Sequence, residues 1–162
     1  MTDSQFLERM LDSSRKIAVE LHHDYIGTEH LFLAAIDGGV GQKVIQNFDL
    51  NAKDIREVIV EVVMPSDRVM DSQGASVYTA NFKKSLRNAS GYASSLSQEL
   101  GTGHVIRAIF EDRYGIPAEI MHSLYGIRNE EIVNEAESLV VNGRSSRPSR
   151  ILDSAGKPFE KS

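Results

Sequence analysis

Apolar residues recur every three or four positions in two long segments of the chain, as along one face of an amphipathic α-helix. Four apolar positions in the first segment have an apolar counterpart 75 residues later. The matched pairs are Leu7 and Phe82, Leu11 and Leu86, Ala18 and Ala93, and Leu21 and Leu96. This constant separation indicates an internal duplication, which constrains the architecture more strongly than any single helix propensity.

A Gly-Thr-x-His turn follows the first predicted helix of each copy. The two turns occupy residues 27–30 and 101–104, 74 positions apart. Glycine and threonine ahead of an apolar run are typical of a turn followed by a capped helix start. Second helices are therefore predicted to begin at Thr28 and Thr102, with the threonine as the capping residue.

The remaining apolar pattern completes four helices in each copy. Short third helices are predicted at about 41–48 and 117–124. Asn51 and Asp54 form a capping pattern for a fourth helix, and its counterpart covers about 129–141. The inner face of the first of these is predicted to contain Ile55, Val58, Ile59, Val62 and Val63. Since no segment shows strand-like alternation, the sequence predicts an all-α fold of eight helices.

The duplication also predicts how the chain is divided. Residues 1–63 form the first repeat and residues 79–142 form the second. The polar segment 64–78 contains proline and glycine and is predicted to connect the repeats. Residues 143–162 are rich in serine, arginine and proline and are predicted to form a flexible linker.

Charge is unevenly distributed along the chain. The whole sequence carries a net charge of −5. Residues 143–162 contain five basic and two acidic residues, which gives +3 and leaves −8 for the rest. An acidic body argues against nucleic acid as the main ligand, because phosphate binding requires clustered lysine and arginine. The basic tail could contact an acidic partner, although a solvated linker is the favoured interpretation.

Composition excludes several classes of chemistry and location. The chain has no cysteine, which rules out disulfides and thiolate catalysis. The N-terminus has no signal-peptide pattern, and no apolar run approaches the roughly 20 residues of a membrane span. We expect a cytoplasmic protein that contacts neither membrane nor nucleic acid.

The sequence contains none of the common catalytic motifs. It lacks a Gly-x4-Gly-Lys-Ser/Thr phosphate loop, a Gly-x-Ser-x-Gly elbow and a His-Glu-x-x-His helix. The five histidines, which are His22, His23, His30, His104 and His122, do not have the spacing of a metal site. His30 and His104 are instead expected to hydrogen-bond to the backbone of the preceding turn. We therefore expect no enzymatic activity, no cofactor and no metal.

The first Gly-Thr turn is the strongest candidate for a binding site. A helix N-terminus presents free N–H groups and favours anions. Glu29 follows Thr28 directly. Its carboxylate either stabilises the helix dipole, which is the favoured reading, or helps to hold a ligand that carries both a phosphate and a guanidinium.

Four aromatic residues are candidates for a peptide-binding surface. Their spacing places Phe82 and Tyr92 on the core face of the fifth helix. Phe6 and Tyr25 are less constrained, and we predict that they contribute to a surface for peptides or adaptors.

The turns and their surroundings resemble a known family. The segment His23-Asp24-Tyr25-Ile26-Gly27-Thr28-Glu29-His30-Leu31, repeated in degenerate form as Leu100-Gly101-Thr102-Gly103-His104-Val105, is similar to the double repeat of the Clp N-terminal domain, in particular that of ClpC-like AAA+ unfoldases. The resemblance covers about residues 4–141. It implies a pseudo-twofold pair of four-helix repeats, monomeric when isolated. Such a domain docks adaptor proteins and tagged or unfolded substrates for the ATPase rings of the Clp protease and has no catalysis of its own.

The tail extends this resemblance. Residues 151–157 resemble the segment that leads into the first ATPase ring, whereas Pro158 and Phe159 depart from that pattern. The alternative is a free-standing regulator or decoy of the same fold that binds adaptors or tagged substrates without an ATPase. Whether the reading frame continues past Ser162 into an ATPase distinguishes the two.

The ClpC branch also implies a ligand, phosphorylated arginine. By resemblance, Glu29 would hold the guanidinium, and Thr28 with nearby N–H groups would hold the phosphate. The ligand-binding set is Gly27, Thr28, Glu29 and His30, and the degenerate second set is Gly101, Thr102, Gly103 and His104. We predict one competent pocket and one crippled pocket, with Gly103→Glu restoring the second.

Overall fold

The computed structural model describes residues 1–66, 77–112 and 115–147. These residues form eight helices: α1 (Asp3–Glu20), α2 (Thr28–Ala35), α3 (Gly39–Asn47), α4 (Ala52–Val62), α5 (Ala80–Ser95), α6 (Thr102–Glu111), α7 (Ile116–Tyr125) and α8 (Asn129–Asn142). Within the described ranges, the one β-type pairing is an isolated parallel bridge between Ile26 and Tyr78. The prediction of an all-α fold with four helices per repeat is confirmed. Much of the predicted connection between the repeats, residues 67–76, lies outside the described residues.

Local capping accounts for the positions of the helix starts. The Asn51 side chain accepts a hydrogen bond from the Asp54 amide at 2.9 Å, which confirms the predicted cap of α4. α2 and α6 begin at Thr28 and Thr102 as predicted. The capping residue is the preceding glycine in both cases, so the expected threonine caps are wrong.

One predicted core position of α4 is also wrong. Ile55 and Ile59 are fully buried, as expected for the inner face. Val62 is 46% exposed, because the helix ends there and the chain leaves the core in an extended conformation at Val63.

α2 and α6 form the centre of the domain. Seven of the eight residues of α2 are buried, and α6 is buried over most of its length. The Phe32 and Phe110 rings meet edge to face with their centroids 5.2 Å apart, which joins the two repeats through equivalent helices. A helix that is apolar on nearly all sides is suited to such a central position.

The repeats also interlock at their turns. The Thr102 hydroxyl accepts a hydrogen bond from the Gly41 amide at 2.8 Å and donates one to the Gly38 carbonyl at 3.0 Å. The start of α6 in the second repeat is thereby fixed to the α2–α3 turn of the first. In the equivalent arrangement, Gly115, which precedes α7, lies against the Thr28 hydroxyl at the start of α2.

The segment after α8 is attached to the domain. Glu135, which is fully buried, accepts hydrogen bonds from the Ser146 amide at 2.9 Å and from the Ser146 hydroxyl at 2.7 Å. Arg147 donates to the Asn47 carbonyl at 3.0 Å and lies over the Phe48 ring. The expectation of a free linker from residue 143 onward is therefore wrong for residues 143–147, while residues 148–162 lie outside the described residues.

None of the helices in the described part of the chain is both long and apolar enough to cross a membrane.

Candidate functional site

The backbone of the first Gly-Thr turn is held by both described ends of the connection between the repeats. The Ser66 amide donates to the His22 carbonyl at 2.7 Å. Ile26 donates to the Val77 carbonyl at 2.7 Å and accepts from the Thr79 amide at 2.9 Å. These hydrogen bonds hold the backbone of the turn in place without any contribution from a ligand.

Two buried histidines, joined by a hydrogen bond, hold the conformation of this turn. The Gly27 amide donates to His30 Nδ1 at 2.9 Å, which confirms the predicted role of His30. Because Nδ1 is an acceptor, the neutral ring carries its proton on Nε2, and this nitrogen lies 2.6 Å from His23 Nδ1. His30 therefore donates to His23. Burial, with a smaller electrostatic contribution from the neighbouring His23 ring, lowers the pKa of His30 to about 3, so the His30 ring stays neutral at physiological pH.

The second turn has the same hydrogen bond between a backbone amide and a histidine, but a glutamine takes the place of the second histidine. The Gly101 amide donates to His104 Nδ1 at 3.0 Å, as predicted. His104 Nε2 then donates to Gln98 Oε1 at 2.9 Å, and Gln98 donates to the Val140 carbonyl at 3.0 Å. Burial also lowers the pKa of His104. Gln98 stands 75 residues after His23, so the duplication itself could have identified these two supporting residues, which sequence reasoning missed.

Glu29 occupies the space above the first turn. Its side chain is buried, with 3% of the residue exposed, and one carboxylate oxygen accepts a hydrogen bond from the Tyr25 hydroxyl. The other oxygen lies so close to Gly27 that a Cβ there would be 2.5 Å from it. Burial and the bond to Glu29 raise the pKa of Tyr25, which keeps the hydroxyl as a donor.

The two aromatic residues that were predicted to contribute to a partner surface, Phe6 and Tyr25, do not form an open apolar patch. Tyr25 is half-buried and stacks parallel to His23 with the ring centroids 5.8 Å apart. Phe6 is only 5% exposed and belongs to the core, so the expectation that it is free for a partner is wrong. Its position near the start of α1 made it look unconstrained, whereas the packing of the helices buries it.

Within the second turn, packing crowds the position of Gly103. A Cβ at Gly103 would lie 2.6 Å from Val140 Cγ2 and 2.7 Å from Val40 Cγ1. The Thr102 hydroxyl is already occupied by the α2–α3 turn. A glutamate side chain at Gly103 therefore requires Val40 and Val140 to move aside, and restoration of the second pocket by Gly103→Glu stays a prediction.

The first turn differs in its electrostatics. The first amides of α2, those of Thr28 and Glu29, precede the first helical hydrogen bonds, which His30 and Leu31 make to the Gly27 carbonyl. Glu29 forms no ion pair with any residue in the described ranges. A buried carboxylate is normally paired with a cation, so this site can accept one from a ligand. No group of three or more metal-ligating side chains exists among the described residues.

Comparison with known proteins gives curated relatives and similar structures. The ATP-dependent Clp protease ATP-binding subunit ClpC of Staphylococcus saprophyticus is 27% identical over 120 residues, which is 72% of this chain and 14% of that protein. The chain thus spans a small fraction of the length of such relatives. The N-domain of ClpV from Vibrio cholerae is similar with a TM-score of 0.63 and 18% identity, covering 90% of this chain and 92% of that one. A complex of the ClpV N-domain with a VipB peptide gives a TM-score of 0.61 and 20% identity, covering 86% and 85%.

The family assignment agrees with the duplicated helices, the paired turns and the similar structures. Residues 4–124 match the sequence model of the Clp repeat (R) N-terminal domain. This range contains both Gly-Thr turns and the first seven helices described above, apart from the first residue of α1 and the last residue of α7. The chain belongs to the Clp repeat N-terminal domain family.

Proposed function

We propose that this chain is a non-catalytic recognition domain of a ClpC-like, ATP-dependent unfoldase of the Clp protease system, which docks adaptor proteins and substrates. The family assignment and the ClpC relatives support this proposal. A ClpV N-domain, which is similar in fold, has been solved with a bound VipB peptide. A domain of this kind acts by raising the local concentration of its cargo near the motor to which it is tethered.

The first Gly-Thr turn is the proposed site for phosphoarginine on tagged proteins. The observation that carries this step is the buried Glu29 carboxylate, which lies at a helix N-terminus without a cationic partner among the described residues. A guanidinium supplies that cation. The free amides of Thr28 and Glu29 and the positive end of the α2 dipole suit a phosphate on the same ligand.

Tyr25 determines how the site opens. Its hydroxyl occupies one oxygen of Glu29, and a guanidinium needs both oxygens for a bidentate pair. Binding therefore requires Tyr25 to release the carboxylate. Tyr25→Phe removes this competition and is expected to tighten binding.

Amide-resonance NMR with free phosphoarginine tests the site, with arginine and inorganic phosphate as separate controls. Saturable shifts are expected at residues 26–31. Glu29→Gln removes the charge-assisted bonds, worth about 1.5–3 kcal/mol, and should weaken binding by about tenfold or more. Glu99→Gln is the matched control, because Glu99 is an exposed carboxylate beside the second turn.

The outcomes test the phosphoarginine site and the docking of adaptors separately. If Glu29→Gln and Glu99→Gln bind alike, or if no shift occurs at the first turn, the phosphoarginine site is refuted. The docking of adaptors is tested independently, by isolating proteins bound to the wild-type and Glu29→Gln domains. A bound set that is unchanged in Glu29→Gln supports docking outside the turn.

A further inference from the structure

A groove of about 850 Å³ crosses the first repeat between α1, the end of α2 and the start of α4. Its base contains the buried apolar residues Met10, Leu33 and Ala34. Six charged side chains line it: Arg9, Lys16, Lys53 and Arg56 are basic, and Glu20 and Asp37 are acidic. The first Gly-Thr turn is not part of this groove.

The groove is basic although the chain as a whole is acidic. Four cations and two carboxylates give its lining a charge of +2, against −5 for the sequence. Arg56 pairs with Glu20 at 3.3 Å and Lys16 pairs with Asp12 at 3.2 Å, and both contacts are solvent-exposed. Such surface pairs are weak and exchange readily for other partners. Lys53 is exposed and forms no ion pair with any described residue.

The second repeat shows that the fold does not need these charges. The fourth helices of the repeats, α4 and α8, align at an offset of 77, since their N-caps are Asn51 and Arg128. The residues at the positions of Lys16, Lys53 and Arg56 are then Gly91, Glu130 and Val133, which are uncharged or acidic. Lys84, at the position of Arg9, lies 4.0 Å from Asp112. Because the same helices form with a different charge pattern, the basic character of the first groove points to a binding role.

We propose that this groove binds an acidic, amphipathic segment of a partner protein. Carboxylates on the segment would meet Arg9, Lys53 and Arg56, and its apolar side chains would lie over the base of the groove. An apolar base flanked by charge is suited to an amphipathic helix. Complementary charge also accelerates encounter and excludes basic competitors. This surface is separate from the proposed phosphoarginine site, and neither proposal depends on the other.

Titration of the protein with a synthetic peptide of repeated Glu-Glu-Leu triplets tests the groove. The control peptide carries glutamine in place of each glutamate. Amide shifts are expected on α1 and α4, and they should weaken as salt is added. Lys53→Glu introduces the residue found at the equivalent position of the second repeat, and we expect affinity to fall about threefold or more.

Lys43→Glu is the matched control variant. Lys43 is exposed on α3 outside the groove, and its replacement changes the net charge by the same amount. Retained binding in Lys43→Glu together with loss in Lys53→Glu supports the proposal. Equal weakening of both variants, or equal binding of the glutamine peptide, overturns it. Salt-sensitive self-association that Lys53→Glu abolishes would assign the groove to a second copy of this chain and would also overturn it.

Discussion

Replacing His30 by glutamine should remove the contribution of this histidine to the acid sensitivity of the domain. His30 is fully buried, accepts the Gly27 amide on Nδ1 and donates to His23 through Nε2. A proton on Nδ1 would break the bond to Gly27 and place a charge in the core. Glutamine at this helical position can accept the same hydrogen bond from the Gly27 amide, as in a capping box, but its side chain does not titrate.

The magnitude follows from the difference between the folded and unfolded pKa of His30. The pKa is about 6.5 in the unfolded chain and about 3 in the folded domain. The unfolded chain therefore binds the proton first, and acid favours unfolding. Stability is complete above pH 6.5 and is lost as the pH falls toward 3. Linkage gives a loss of about 2 kcal/mol between about pH 7.5 and about pH 5.

Denaturant unfolding of wild type and His30→Gln at several pH values measures this effect. The comparison isolates His30, because His104, whose pKa is also lowered, is present in both proteins. The wild type should lose about 2 kcal/mol more than the variant between about pH 7.5 and about pH 5, or about 4–8 °C in melting temperature. Parallel stability curves for the two proteins would show that His30 does not titrate as argued.

Two further substitutions test the packing on which the site model depends. Gly103→Ala should destabilise the domain by about 1–3 kcal/mol, since its Cβ would meet Val40 and Val140. If the variant unfolds at the same temperature as the wild type, there is free space at this position of the second turn. Glu135→Gln places an amide where both carboxylate oxygens face donors, so it should cost about 1–3 kcal/mol and accelerate trypsin cleavage after Arg144. Cleavage no faster than in the exposed control Glu130→Gln would refute the attachment of this segment.

The sequence predicted the features that depend on local pattern. Helical spacing and the 75-residue offset gave the eight helices and the duplication, and Asn51 gave the cap of α4. The role of His30 and His104 also followed from local geometry, because a side chain in the first helical turn can reach the backbone amide of the preceding residues.

The features that sequence reasoning missed are long-range. The contact of Thr102 with Gly38 and Gly41 joins residues more than 60 positions apart, and no local pattern encodes it. Burial of Phe6 and the attachment of Ser146 to Glu135 likewise depend on how the helices pack. These contacts decide which surfaces are open, so a correct list of elements still gave wrong expectations about Phe6 and the linker.

The same long-range contacts distinguish the structures of the two turns. Both keep the hydrogen bond between a backbone amide and a histidine, which shows that the backbone conformation is needed in each. Only the first keeps a carboxylate over its glycine, while in the second Val40 and Val140 crowd Gly103, which stands at the position of Glu29. The Thr102 hydroxyl of the second turn instead holds the Gly38 carbonyl, and Gly38 lines the basic groove of the first repeat. The second turn therefore serves as a support for the first repeat, which carries both proposed binding sites.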